Sequence, residues 1–331
     1  LDDGHEWDWI GLDWIGLESI ERLTNSIGII CFAACSRSHT KRTHKPTPIL
    51  LLQQQEGPSM ESQTQAQLDE ALLNAAALGS ITEIHSLLDR HADINALDIA
   101  YNETPLHLAS RNGRHQCIGI LVDRHADINA LDIDNCTPLH LASLKGHHQC
   151  VELLLDRRAD INALDIDNYT PLHHASKNGH HQCIEALVDR RADINALDIG
   201  HSTPLHYTSS RGHHQCAEAL VDRHADINAL DISHSTPLHH ASMNGHHQCI
   251  EVLLDRHADI NARGQIDETP LHHASLNGYH QCIKVLIDHC ADKLLLDVRD
   301  CELSISISIE LLHLPFAVLT LCLSLSLSLS Q

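Results

Sequence analysis

The tetrapeptide Thr-Pro-Leu-His opens at Thr104, Thr137, Thr170, Thr203, Thr236 and Thr269, returning every 33 residues without insertion or deletion. Such strict periodicity excludes a fold organised around one central core. Each unit has to be the same small supersecondary block, too short to bury its own apolar face and completed only by stacking on its neighbours. The stretch from Thr137 to Asn162 shows how the block is written. Thr137 is a natural N-cap, because its hydroxyl can accept from an otherwise unpaired N–H of the first helical turn. Pro138 falls at the first helical position, where a missing N–H costs nothing and the fixed φ suits a helix. Leu139 and Ala142 share a face, and the small alanine admits close helix approach. Gly146 ends this short helix, and a second begins near His147, with Cys150, Val151, Leu154 and Leu155 forming one apolar stripe. The stripe recurs in every unit, from Cys117/Ile118/Leu121/Val122 to Cys282/Ile283/Leu286/Ile287. The expected fold class is all-α, a solenoid of two-helix units.

On these residues the block resembles an ankyrin repeat, and the resemblance covers about residues 66–301, roughly seven tenths of the chain. It implies a β-turn followed by two antiparallel helices in each unit, and a protein-binding role carried by a concave groove. It also implies that the motif histidines, His107, His140, His173, His206, His239 and His272, hydrogen-bond within and between repeats. The chain departs from the family at two places where the family has glycine. At the hairpin tip stand Asn102, Asn135, Asn168, His201, His234 and Asp267, the residue types most tolerant of positive φ. After the second helix stand His91, His125, Arg158, Arg191, His224, His257 and Cys290, where arginine costs about 1 kcal/mol if φ is positive.

Leu72, Ala75, Gly79, Ile84, Leu87 and Leu88 fit the pattern without its tetrapeptide, given one extra linker residue before Thr104. Glu70 and Asn74 in place of the motif suit a terminal unit with a wet outer face. The expected organisation is a leader over 1–59, an array over 60–301 made of an N-terminal cap (66–98) and six repeats, and a low-complexity Leu/Ser/Ile tail over 302–331. A closing turn is expected from Leu294. Leu311 to Ser330 is uncharged over a membrane-spanning length, so a membrane-tethered adaptor is the alternative to a soluble one. Pro315 and a Leu/Ser alternation of period two argue against a spanning helix.

The charge balance, 22 Lys+Arg against 44 Asp+Glu, argues against binding a phosphate backbone and favours basic or apolar protein partners. Six of the twelve cysteines form one column on the second helices. Stacked helices lie ~8–10 Å apart, beyond the ~7 Å reach of a disulfide, so these are expected to be buried thiols of a reducing compartment, cytoplasmic or nuclear. Thirty-one histidines raise the question of metal. Within His147-His148-Gln149-Cys150 the side chains diverge, and one column's members in successive repeats are too far apart to share an ion, so no metal and no cofactor are expected. Their titration would carry the formal charge from −22 to a positive value, which suggests a partner affinity that changes between pH ~7.5 and ~5.5. Ser143, His140 and Asp160 make a triad by letter only. Such letters recur with the motif, whereas an active site would break the period, so no enzymatic activity is expected.

Residues that vary between otherwise near-identical units are the natural candidates for partner contact. The rows before the motif (Glu103, Cys136, Tyr169, Ser202, Ser235, Glu268), after its histidine (Leu108, Leu141, His174, Tyr207, His240, His273) and at the end of helix 1 vary most. By the resemblance, the first and last of these rows face the groove. The expected hot spot is Tyr169, Lys177, Tyr207 and Arg211, since tyrosine offers a rigid, amphipathic contact area. Arg111, Lys145, His174, His240 and Met243 extend it. Thr104, Thr137, Thr170, Thr203, Thr236 and Thr269, with the motif histidines, are structural. The expected molecule is a monomeric scaffold.

Overall fold

The computed structural model describes residues 64–296, with side chains through Cys290. The leader over 1–59 and the tail over 302–331, with its candidate anchor, lie outside the described residues. Fourteen helices and no strands occupy the described part. The cap supplies α1 (Gln65–Leu78) and α2 (Ile81–Asp89). The first helices of the six repeats are α3 (Pro105–Arg111), α5 (Pro138–Lys145), α7 (Pro171–Lys177), α9 (Pro204–Arg211), α11 (Pro237–Met243) and α13 (Pro270–Leu276). Their partners are α4 (His115–Asp123), α6 (His148–Asp156), α8 (His181–Asp189), α10 (His214–Val221), α12 (His247–Asp255) and α14 (His280–Leu296). First helices pack on first helices of the adjoining units and second on second, giving an all-α solenoid of two layers.

Each first helix starts where the sequence says it should, with threonine at the N-cap and proline in the first turn. The stripe of the Thr137 unit illustrates the core: Cys150, Val151 and Leu154 are at most 1% exposed, and Leu155 is partly buried against them. Gly146 turns the chain between helices at φ 75°, a region L-residues avoid. It is also a point of close approach, because a Cβ there would meet the His180 ring of the next unit at 2.5 Å. The substituted positions obey the same backbone demand as glycine. Asn135 and Asn168 sit at φ 59° and 60°, and Arg158 and Arg191 at 64° and 67°.

Two expectations at the C-terminal end fail. Cys290 does not take a left-handed turn, because α14 continues through it to Leu296, and Leu294 therefore lies in a helix and not in a closing turn. At the other end α1 is twice the length of the other first helices, and Thr64 with Gln67 closes its N-terminus in a capping box. Glu70 and Asn74 are exposed, as a terminal unit requires. The extra linker residue shows as a longer turn, Asn102 N–H donating to Asp98 C=O where Asn135 donates to Asp132. No helix among the described residues is long and apolar enough to cross a membrane.

Candidate functional site

Three rows of polar side chains fix each unit to the next and thereby define what remains for a partner. The motif histidine comes first. Thr104 N–H can only donate, so His107 Nδ1, at 3.1 Å, accepts and the ring proton belongs to Nε2, which donates to the Cys136 carbonyl of the next unit at 3.0 Å. His140, His173, His206 and His239 repeat this with Tyr169, Ser202, Ser235 and Glu268. The residue before each motif after the first thus offers its carbonyl to the preceding unit, and the row is less exposed than expected: Cys136 is 9% exposed and Ser235 5%, and Glu103, before the first motif, is 1% exposed. Burial pushes the Glu103 carboxyl up to about 7 in spite of its ion pair with Arg111.

The second row is histidine again. His147, His180 and His246 stand just before their second helices and donate Nε2–H to the carbonyls of Arg111, Leu144 and Ser210 in the preceding unit, at 3.0–3.1 Å. His180 and His181 are both half-buried. The third row is asparagine. Asn95, Asn129, Asn162, Asn195 and Asn228 each accept, through Oδ1, the backbone N–H of an aspartate 31 or 32 residues on, at 2.8–2.9 Å. The recurrent Ala-Asp-Ile-Asn-Ala, as at Ala159 to Ala163, carries both halves of this strut.

Against that frame of repeated contacts the middle of the array is distinct. Tyr169 and Tyr207, from successive units, meet edge to face with centroids 5.5 Å apart and hydroxyls at 2.9 Å. The Tyr207 hydroxyl donates to the Asp198 carboxylate. Lys177 lays its ammonium 5.0 Å from the Tyr169 ring centroid and 5.7 Å from that of Tyr207, a geometry suited to cation–π attraction. Burial lowers the affinity of Lys177 for its proton, and the nearby Arg211 charge adds to this. Three of the four expected hot-spot residues are therefore one half-buried cluster, while Arg211 is exposed at its edge.

The remaining candidates divide. His174 and His240 are tied to Asp165 and Asp231, each pair at 2.8 Å. Burial alone would raise the Asp165 carboxyl, but the His174 hydrogen bond and charge, the Tyr169 N–H and the His140 charge together outweigh it and hold it below its ordinary value. Arg111 is drawn inward by Glu103 and lies over the Tyr101 ring at 5.8 Å. Lys145 and Met243 are exposed and stand apart from the tyrosine cluster in sequence-adjacent units. Two features escaped sequence reasoning. Leu131, Ile133, Leu164, Ile166, Leu197 and Ile199 form an apolar row at the hairpins, each 49–62% exposed. The signal was present as Ala-Leu-Asp-Ile in successive units, but a strip without helical periodicity reads as connection.

The other feature concerns metal chemistry. One column's members are indeed spread along the array, yet Cys136, Asp165 and His174, from different rows of two successive units, bring one ligand atom each within 4.8 Å of one another. Catalytic geometry by letter is not assembled: both ring nitrogens of His140 are engaged, by Thr137 and by the Tyr169 carbonyl, and the Ser143 hydroxyl makes no hydrogen bond to it.

Comparison with known proteins agrees with this architecture. The family model described as ankyrin repeats (3 copies) matches residues 42–132, 72–165, 126–198, 158–231 and 197–264, and that for ankyrin repeats (many copies) matches 245–287. No curated protein matches the chain. Among solved structures, the crystal structure of the human ASB11 ankyrin repeat domain is similar at TM-score 0.61 and 26% identity, over 66% of this chain and 96% of that one. Repeats of this kind are in general protein–protein interaction modules. Six motif units with their threonine–histidine capping boxes, the stacked helix pairs and the family match over most of its length together mean that the chain belongs to the ankyrin repeat family.

Proposed function

We propose that the protein is an interaction scaffold that holds a protein partner through the face centred on Tyr169, Lys177, Tyr207 and Arg211, with no chemistry of its own. The observation that carries this reading is the cluster itself. Elsewhere the same positions hold exposed Met243 and Leu276 or a histidine tied to an aspartate of its own unit, whereas here two aromatic rings and a desolvated ammonium are brought together between repeats. Aromatic anchors and arginine, set in a polar surround, are what interface hot spots are made of. The exposed Leu/Ile row and the net charge of −22 favour a partner segment that is apolar with basic flanks. The buried thiol column, Cys117 to Cys282, suits a reducing compartment such as the cytoplasm.

The test uses the full chain as bait and compares it with Tyr169→Ala/Tyr207→Ala and with Lys177→Ala/Arg211→Ala. The tyrosine pair should weaken the captured partner by more than ~1 kcal/mol, which is at least fivefold in Kd. The charge pair checks that the loss follows the face and not the packing of the rings, with helical content and melting temperature measured for both. Undiminished partner retention by folded variants of both kinds would remove the face from consideration.

A further inference from the structure

The structure assigns a metal site to Cys136, Asp165 and His174, at the seam between the second and third repeats, suited to a borderline-soft divalent ion such as Zn2+. The three side chains offer a thiolate sulfur, a carboxylate oxygen and an imidazole nitrogen within 4.8 Å of one another. Ligands ~2.0–2.3 Å from a tetrahedral centre stand ~3.3–3.8 Å apart, so the three atoms close on an ion after a small inward shift of their side chains. Three protein ligands leave a fourth position for water. The donor set also selects the ion, since a thiolate disfavours Mg2+ and Ca2+ while imidazole and carboxylate are compatible with zinc.

Each ligand is held before any ion arrives. Cys136 donates its N–H to Asp132 Oδ1 and its carbonyl accepts from His107. Asp165 Oδ1 takes the N–H groups of Asp167 and Tyr169 at 3.0 and 2.8 Å, leaving Oδ2 toward His174. His174 projects from α7, whose N-terminus is fixed by the Thr170–His173 box. The nearby His140 ring, 5.6 Å from His174, is occupied by its own hydrogen bonds and is not a ligand. Charge favours occupancy: thiolate and carboxylate together cancel a divalent ion in a place where Cys136 and Asp165 are 9% and 7% exposed. Binding releases the thiol proton to solvent, and the Nε2 proton that His174 gives to Asp165 Oδ2 passes to Nδ1 by exchange with water, so the ion replaces that hydrogen bond.

The array contains its own controls, because the same three positions recur one repeat apart. They read Glu103/Asp132/Leu141, Tyr169/Asp198/Tyr207, Ser202/Asp231/His240 and Ser235/Gly264/His273. Only the second-repeat copy has all three ligands. Ser202/Asp231/His240 keeps the aspartate–histidine pair at the same 2.8 Å and lacks only the sulfur. A metal at the Cys136 copy would brace Asp165, which holds the backbone of Tyr169, so the site would stiffen one side of the tyrosine cluster.

Co2+ is the probe, added to the reduced, full-length chain and then displaced by Zn2+. The expected result is one Co2+ per chain with a thiolate-to-cobalt charge-transfer band and the intense visible bands of four-coordination. Cys136→Ser and His174→Ala should abolish the charge-transfer band, and Cys150→Ser should leave it. Cys136→Ser keeps the fold because serine already occupies the equivalent places at Ser202 and Ser235. Ser202→Cys should raise the stoichiometry of that band from one to two. A band that persists in Cys136→Ser, the weak spectrum of histidine-only binding in the unaltered chain, or a stoichiometry unmoved by Ser202→Cys would each overturn the assignment. Partner retention plays no part in this test, so its failure leaves the proposed binding face untouched.

Discussion

At the scale of the residue, the motif histidine is the most consequential side chain, and it works only when neutral. Its Nδ1 must accept from the threonine N–H while Nε2–H donates to the next unit, so a second ring proton destroys the first contact. Burial accordingly lowers His107, His140 and His206 from an ordinary 6.5 to about 4, and lowers His173 and His239 as well. The sign follows from linkage. Between pH 6.5 and about 4 the unfolded chain takes up protons that the folded one refuses, so stability is whole above 6.5 and is lost as the pH falls. Each of these three histidines withdraws up to about 1.4 kcal/mol per pH unit in that window, so together they destabilise the array progressively as the pH falls. His140→Gln should reduce the pH slope of the unfolding free energy by one proton's worth, because glutamine closes the equivalent capping box at Thr64–Gln67. Denaturant unfolding at a series of pH values measures that slope, and an unchanged slope would contradict it. The within-repeat and between-repeat roles of these histidines were legible through the family resemblance. The His147/His180/His246 row was not, because an imidazole at a helix start looks the same in sequence whether it faces water or a carbonyl in the preceding unit.

At the scale of the element, what could be read from sequence was whatever depends on local chemistry. Threonine caps, proline in the first turn and the Cys-to-Leu stripe placed both helices, and the hairpin-tip asparagines announced positive φ. Contacts between units were less legible. Glu103 reads as a groove carboxylate, and only the packed structure shows it buried, paired with Arg111 of its own unit. Cys136, Asp165 and His174 are likewise 29 and 9 residues apart in the chain and meet only through stacking. The end of the second helix offers a clean test of the local reading. Arg158 and Arg191 are held at φ 64° and 67°, where a side chain costs ~1–2 kcal/mol. Glycine removes that strain and returns ~0.5–1 kcal/mol of it as chain entropy. Arg158→Gly and Arg191→Gly should therefore each stabilise the array by about 0.5–1 kcal/mol, read as a higher denaturant midpoint at constant m-value. Among the described residues the Arg–Asp ladder runs through the preceding arginines, Arg157–Asp123 and Arg190–Asp156, so the change forfeits none of its rungs.

At the scale of the whole molecule, every contact described above joins a unit to itself or to its immediate neighbour. Stability is then a sum over units and seams, and no residue depends on a distant one. The invariant 33-residue period makes this testable without designing a new junction. Removing Pro237 to Thr269 joins Thr236 to Pro270, so a threonine N-cap again precedes a proline and the His206–Ser235 strut is retained. The shortened chain should fold, keep its helical signature per residue and unfold cooperatively. Its m-value should fall by about one seventh, in proportion to the surface that the missing unit no longer exposes. Its midpoint should fall as well, since one seam is lost while both terminal units remain. The tyrosine cluster and the Cys136 trio lie in earlier repeats, so partner retention and Co2+ stoichiometry should be unaltered by the deletion. Loss of cooperative folding on removal of this one unit would instead mean that distant parts of the array support each other, and the additive account of its stability would have to be abandoned.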